Sequence, residues 1–191
     1  MHRFFSVKLS KILLIGTLLG VNAYVAAEQS EPAIKPSAAK LALQSTLVQL
    51  KSYQAAFSQK VVDIENTVLQ EAHGTISLLQ PNKLYWELLP PNDNILLADG
   101  QTLWNIDSFM EQVVAYNQTS AIENNPLILL TDPHSDKWLE FTVTRKNNDY
   151  TIKPIAQTGN VETLRLRFDS NNQLIQLETT DAKASEYIIV F

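Results

Sequence analysis

Two carboxylates and an imidazole fall within five residues at Asp132-Pro133-His134-Ser135-Asp136, a donor set of the kind that binds a hard divalent cation or zinc. The spacing matches neither a helical His-x3-His pair nor a calcium-binding helix-loop-helix, and Pro133 suits a turn, so we expect no metal here. His73, beside Gly74 in a strand-like run, reads as a surface or edge residue. Glu65, Glu71 and Glu87 supply carboxylates of the sort a glycosidase pairs, but strand alternation scatters them. There is no Gly-x-Ser-x-Gly, no phosphate-cradling glycine loop and no cysteine. Beyond residue 27 the glycines are Gly74, Gly100 and Gly159, too dispersed to wrap a nucleotide. No catalytic set forms, and we expect a protein that is not an enzyme and needs no cofactor.

What remains is apolar surface and the strands that must present it. Between Leu78 and Tyr116, two tryptophan-bearing apolar runs flank Asp99-Gly100, a dipeptide that tolerates the positive φ of a type I′ hairpin turn. Asn94–Ala98 and Gln101–Asp107 are therefore predicted to pair as antiparallel strands. Ile95 and Leu97 alternate with Leu96 and Ala98, while Thr102, Trp104 and Ile106 alternate with Leu103 and Asn105. Both faces of the first strand are apolar, as in a strand covered on both sides or one whose second face lines a cavity. Trp86 and Trp104 fit either core packing or a cavity wall.

The first 27 residues have the layout of a secretory signal: Arg3, Lys8 and Lys11, then apolar Ile12 to Val21, then Val25-Ala26-Ala27 as a cleavage site. About ten apolar residues fall short of the roughly 20 that span a bilayer. Removing that segment leaves 12 basic against 20 acidic side chains, a net charge of −8, which argues against nucleic acid and anionic headgroups as partners. The absence of cysteine in an exported chain means that no disulfide staples the fold and that the protein is not itself a lipoprotein.

Residues 28–36, with Pro32 and Pro36 among polar neighbours, read as a linker, and 37–191 as one domain. Ser37 should cap a helix to about Lys51 with Leu43, Leu47 and Leu50 on one stripe. Alternating runs follow at Tyr53–Val61, Val68–Leu79, Lys83–Leu89, Glu111–Asn117, Trp138–Arg145, Tyr150–Ile155, Glu162–Phe168, Leu174–Thr180 and Ser185–Phe191. They predict ten or eleven antiparallel strands in a meander that curls into a barrel or half barrel. One segment departs from the pattern: Asn125 as a cap, Pro126 at a first helical position, then Leu127-Ile128-Leu129-Leu130. Four consecutive aliphatics demand burial on nearly all sides, as a plug on the concave face or as an ordinary buried turn of helix.

Gln80-Pro81-Asn82-Lys83-Leu84-Tyr85-Trp86-Glu87, then Pro91, then Ile95 through Trp104, then Glu111-Gln112-Val113, taken in order, resemble the LolA family of periplasmic lipoprotein carriers. Phe57-Ser58-Gln59-Lys60-Val61 and Asn125-Pro126-Leu127-Ile128-Leu129-Leu130 add to the resemblance, which covers roughly Leu41 to Leu130 and weakens toward Phe191. It implies an antiparallel half barrel of about eleven strands covered by a helical lid, acting as a periplasmic monomer. It further implies that lipoproteins come from the inner-membrane LolCDE transporter and go to the outer-membrane receptor LolB, their acyl chains sheltered in a hydrophobic cavity. In that reading Leu84, Trp86, Leu97, Trp104 and Ile106 line the cavity together with Leu127, Ile128, Leu129 and Leu130. Gln80 stands where the family commonly has an arginine that bonds lid backbone, so it is the expected lid latch. Family members also continue past the position of Phe191 through a further strand. The alternatives are a related carrier of other lipidic cargo and a lipid- or lipoprotein-sensing regulatory module.

Overall fold

The computed structural model describes residues 36–122, 124–156 and 159–191; the expected signal segment, and the linker up to residue 35, lie outside them. Ser37 opens helix α1 (Ala38–Gln49) as anticipated, its hydroxyl accepting the Lys40 amide at 3.1 Å. Leu43 and Leu47 on its inner stripe are fully buried. Six strands follow: β1 (Ser52–Val62), β2 (Val68–Leu79), β3 (Lys83–Leu88), β4 (Asn94–Ala98), β5 (Thr102–Asp107) and β6 (Gln112–Asn117). After short helices come β7 (Phe141–Lys146), β8 (Asp149–Pro154), β9 (Val161–Phe168), β10 (Leu174–Asp181) and β11 (Glu186–Val190).

All eleven strands form one antiparallel sheet in the order β6-β5-β4-β3-β2-β1-β11-β10-β9-β8-β7. β6 and β7, consecutive in the chain, thus occupy opposite edges. Their connection has to travel from one edge to the other, and it does so over the concave face. It contains the four-residue helix α2 (Gln118–Ala121), a 3₁₀ segment Pro126–Thr131 and a second 3₁₀ turn Asp136–Glu140. With α1 it covers the inner face, whose side chains form one core running from Phe57, Ile76 and Leu84 to Leu164, Leu166 and Leu177.

Three local readings need correction. The strand expected from Trp138 begins at Phe141, because Ser135 caps a 3₁₀ turn through the Lys137 amide and buries Trp138, whose indole N–H reaches the Asp132 carbonyl at 3.0 Å. Asn125 precedes Pro126 as expected, but its side chain makes no capping bond. The hairpin tip is Gly100-Gln101 rather than Asp99-Gly100. Asp99 pairs with Thr102, and its carboxylate accepts the Gln101 and Thr102 amides at 2.9 and 2.8 Å, so only Gly100, at φ +110°, needs the left-handed region.

Gly74 marks a close approach. A Cβ built there would lie 2.1 Å from the Glu87 carbonyl and 2.4 Å from the Phe57 ring, which crosses the glycine to pack on Trp86 with centroids 4.3 Å apart.

Candidate functional site

Cross-strand register decides which apolar residues share a face. Trp86 stands opposite Ile76 on one side and Leu96 on the other, and Leu84 opposite Leu78 and Ala98; all of these point into the concave side. Leu97 pairs with Tyr85 and Trp104, and Ile95 with Glu87 and Ile106, on the outer side. The expected lining therefore divides. Leu84 and Trp86 face the interior, whereas Leu97, Trp104 and Ile106 are half-buried on the opposite face, and the inward places go to Leu96, Ala98 and Leu103. The cause is the odd, five-residue connection between β3 and β4, residues 89–93: one residue fewer would have inverted every side chain of β4. Trp104 instead donates its indole N–H to Asp99 at 3.0 Å, and this bond, with those from the turn amides, holds the Asp99 carboxyl down at about 2.

The crossing segment fills much of the interior. Ile128, Leu129 and Leu130 are 1–2 % exposed and sit within the core, while Leu127 is half-buried and faces open space. That space is a cavity of about 260 Å³ walled by Trp86, Leu96, Leu127, Leu177 and Ile189. It adjoins a second of about 490 Å³, with Asn125, Leu127, Thr179 and Tyr187 common to both. Among the described residues, no Asp, Glu, Lys, Arg or His lines the inner cavity. A larger groove of about 700 Å³, with Ser77, Lys83, Tyr85, Leu97 and Asp99 in its walls, lies on the outer face.

The two ends of the half barrel differ. The cavity opens where the β1–β2, β3–β4, β5–β6 and β10–β11 connections cluster, an end joined by bonds from the Ser108 amide to the Asp93 carbonyl and from the Ala182 amide to the Asn160 carbonyl. The far end is laced shut. Buried Gln118 donates to the Asn82 carbonyl and accepts from the Gly100 amide, both at 2.9 Å, and the Asn82 amide holds the Thr131 carbonyl at 3.1 Å. Gln80 donates to the Leu47 carbonyl at 2.8 Å, so its amide ties β2 to the last turn of α1 and not to Pro126–Thr131. Lys40, with its Nζ on the Trp138 carbonyl at 2.7 Å, and Gln44, on the Pro133 carbonyl at 2.8 Å, fasten α1 to the crossing connection. Burial holds the Lys40 ammonium below its ordinary range, and burial pushes the Tyr53 hydroxyl, bonded to the Leu174 carbonyl, up to about 12.

In the Asp132–Asp136 stretch, the Asp132 carboxylate accepts the His134 backbone amide at 3.1 Å as a turn acceptor. Among the described residues, no group of three or more His, Cys, Asp or Glu is placed to hold a metal ion.

The family model of outer membrane lipoprotein carrier protein LolA matches residues 48–191. The outer-membrane lipoprotein carrier protein of Serratia proteamaculans is 30% identical over 149 residues, covering 77% of this chain and 73% of that one. The protein of the same name from a Shewanella species is 34% identical over 143 residues, covering 75% and 68%. Among solved structures, a LolA superfamily protein from Nitrosomonas europaea matches with a TM-score of 0.43 and 6% identity, over 81% of this chain and 91% of that one. The breadth of the family match, with relatives at about a third identity across most of their length, establishes that this chain belongs to the outer membrane lipoprotein carrier protein LolA family.

Proposed function

We propose that this protein is a non-enzymatic periplasmic carrier that shelters the acyl chains of outer-membrane lipoproteins, taking them from the LolCDE transporter and passing them to LolB. The observation that carries the reading is an apolar concave face, free of charged lining at its cavity, roofed by a segment that the strand order forces across it.

Magnitudes support a roof that yields to cargo. A 16-carbon chain exposes roughly 12 kcal/mol of apolar surface, at about 0.8 kcal/mol per methylene. The inner cavity, of about 260 Å³ and open to solvent at one side, has room for part of one chain as the molecule stands. A whole chain requires Pro126–Thr131 to move. Exposing Ile128, Leu129 and Leu130 costs about 1.5–3 kcal/mol each, roughly 5–9 kcal/mol together, less than the burial of a single chain returns. Hydrophobic exchange between roof and cargo is therefore sufficient to open the carrier. No nucleotide chemistry is required of it.

Depletion in the native cell tests the proposal: outer-membrane lipoproteins should accumulate at the inner membrane, and undisturbed sorting refutes it. Mass spectrometry of species that co-purify from periplasm separates lipoprotein cargo from other lipids.

A further inference from the structure

We propose that the mouth of the interior is a neutral hydrogen-bonding collar for the ester and amide carbonyls at which an acylated anchor joins its peptide. This proposal rests on the carrier reading and names the part of the cargo that the cavity recognises.

Interspersed with those apolar side chains, often as their cross-strand neighbours, Gln59, Asn94, Asn105, Asn125, Thr179 and Tyr187 line the same cavity. These come from β1, β4, β5, the crossing connection, β10 and β11, so amides and hydroxyls converge from both halves of the sheet. Gln59 is the telling member. It faces inward between cross-strand neighbours Ala72 and Ile189, is only 9 % exposed, and its amide makes no hydrogen bond to another described residue. Its polar atoms nevertheless retain access, because no sealed, unpaired side-chain atom occurs among the described residues. An aliphatic side chain would suit hydrocarbon better, since a buried amide without a partner is a net loss. Asn94 donates to Asn105 at 3.0 Å, which leaves the carbonyl of the first and an N–H of the second to the cavity.

A ligand that satisfies such a collar is neutral, carries both carbonyls and N–H groups, and places them at the boundary between hydrocarbon and water. A lipid-modified cysteine has ester carbonyls and a peptide amide at that boundary. A phospholipid brings a phosphodiester anion as well, and the collar offers it no cation. The adjoining vestibule holds Asp181 beside Lys183, so no net positive charge awaits the anion there either. An anion at that boundary meets no net positive charge and has Asp181 nearby, which disfavours it, and the collar thereby selects lipoprotein anchors over anionic membrane lipid.

The test uses the full chain with an apolar dye, 1-N-phenylnaphthylamine, displaced by a synthetic dipalmitoyl-cysteinyl peptide or by dipalmitoyl phosphatidylglycerol, which are matched in acyl chains so that hydrocarbon burial cancels. The wild type should take the lipopeptide well ahead of the phospholipid. Gln59→Leu, and independently the isosteric Thr179→Val, should each lower lipopeptide affinity relative to dye affinity about three- to tenfold, the worth of one hydrogen bond. If both variants keep the wild-type ratio, the collar is wrong and the carrier reading stands. If the phospholipid binds as tightly as the lipopeptide, the selection is wrong. A wild type that takes neither dye nor lipopeptide overturns the collar and the carrier reading together.

Discussion

If Pro126–Thr131 is a roof that opens as a unit, truncating one of its buried side chains should act on opening far more than on the sheet beneath. Leu129 is 1 % exposed within the core, and Leu129→Ala should cost about 2–5 kcal/mol in lost transfer energy and residual cavity. Opening already gives up that side chain's contacts, so the whole cost falls on the closed state. At about 1.4 kcal/mol per decade, the open population should rise by a factor of roughly 30 to 3,000. One amide reports it directly: Asn82, which bridges from the β2–β3 turn to the Thr131 carbonyl. Native-state hydrogen exchange should show the Asn82 amide accelerating by that factor, while amides in β8 and β9 keep their protection. Ile152→Ala is the control: it truncates an equally buried side chain on β8 and should lower global stability without selectively releasing Asn82. Equal acceleration of all amides in both variants, or an unmoved Asn82 in Leu129→Ala, refutes an independent roof.

Four further outcomes follow from the geometry. Gln80→Arg replaces a neutral amide on the Leu47 carbonyl with a charge-assisted donor and should slow dye entry several-fold; unchanged entry denies residue 80 any latching role. Trp86→Ala should cost about 3–5 kcal/mol in urea unfolding and alter dye binding, whereas Trp104→Ala, on the outer face, should cost roughly 1 kcal/mol and leave dye binding as it was. Gly74→Ala forces a methyl into the Glu87 carbonyl and the Phe57 ring and should destabilise by about 1–3 kcal/mol, read as a lowered Tm. The Asp99 carboxyl titrates at about 2 in the folded state, below the roughly 3.9 of an unfolded aspartate. Its contribution to stability is therefore fully present above about pH 4 and is lost as pH falls through about 2; the Trp104 indole N–H resonance should shift over that lower range and stay fixed from pH 4 to 7.

Most of the framework was legible because local patterns and tertiary needs agree. Val68–Leu79 is a strand with the expected bounds, its burial alternating from Ala72 to Leu78, and Ser37 caps α1 as its type and position suggest. Trp138 misled because alternation ran unbroken into β7, while the competing signal, Ser135 two residues before Lys137, is a weak and common one. Gln118 left no trace in the pattern at all. Its burial follows from the three loops that happen to meet around it, a property of the assembled far end.

The site was half legible for a definable reason. Strand identity fixes only which residues share a face within a strand; the face itself depends on the count of residues in each connection. Residues 89–93, with Pro90-Pro91, gave no turn signature from which to count, so Leu97 and Trp104 were grouped with Trp86 although register sets them on the other side. The roof was different. Four aliphatics at 127–130 cannot be solvated, and in a meander whose sixth and seventh strands are the two free edges, the intervening chain has no route except across the sheet. Burial demanded by sequence and crossing demanded by topology converge on the same six residues. That convergence places the most apolar segment of the connection where only another hydrocarbon can replace it, which is the physical condition for a carrier whose cargo is its own key.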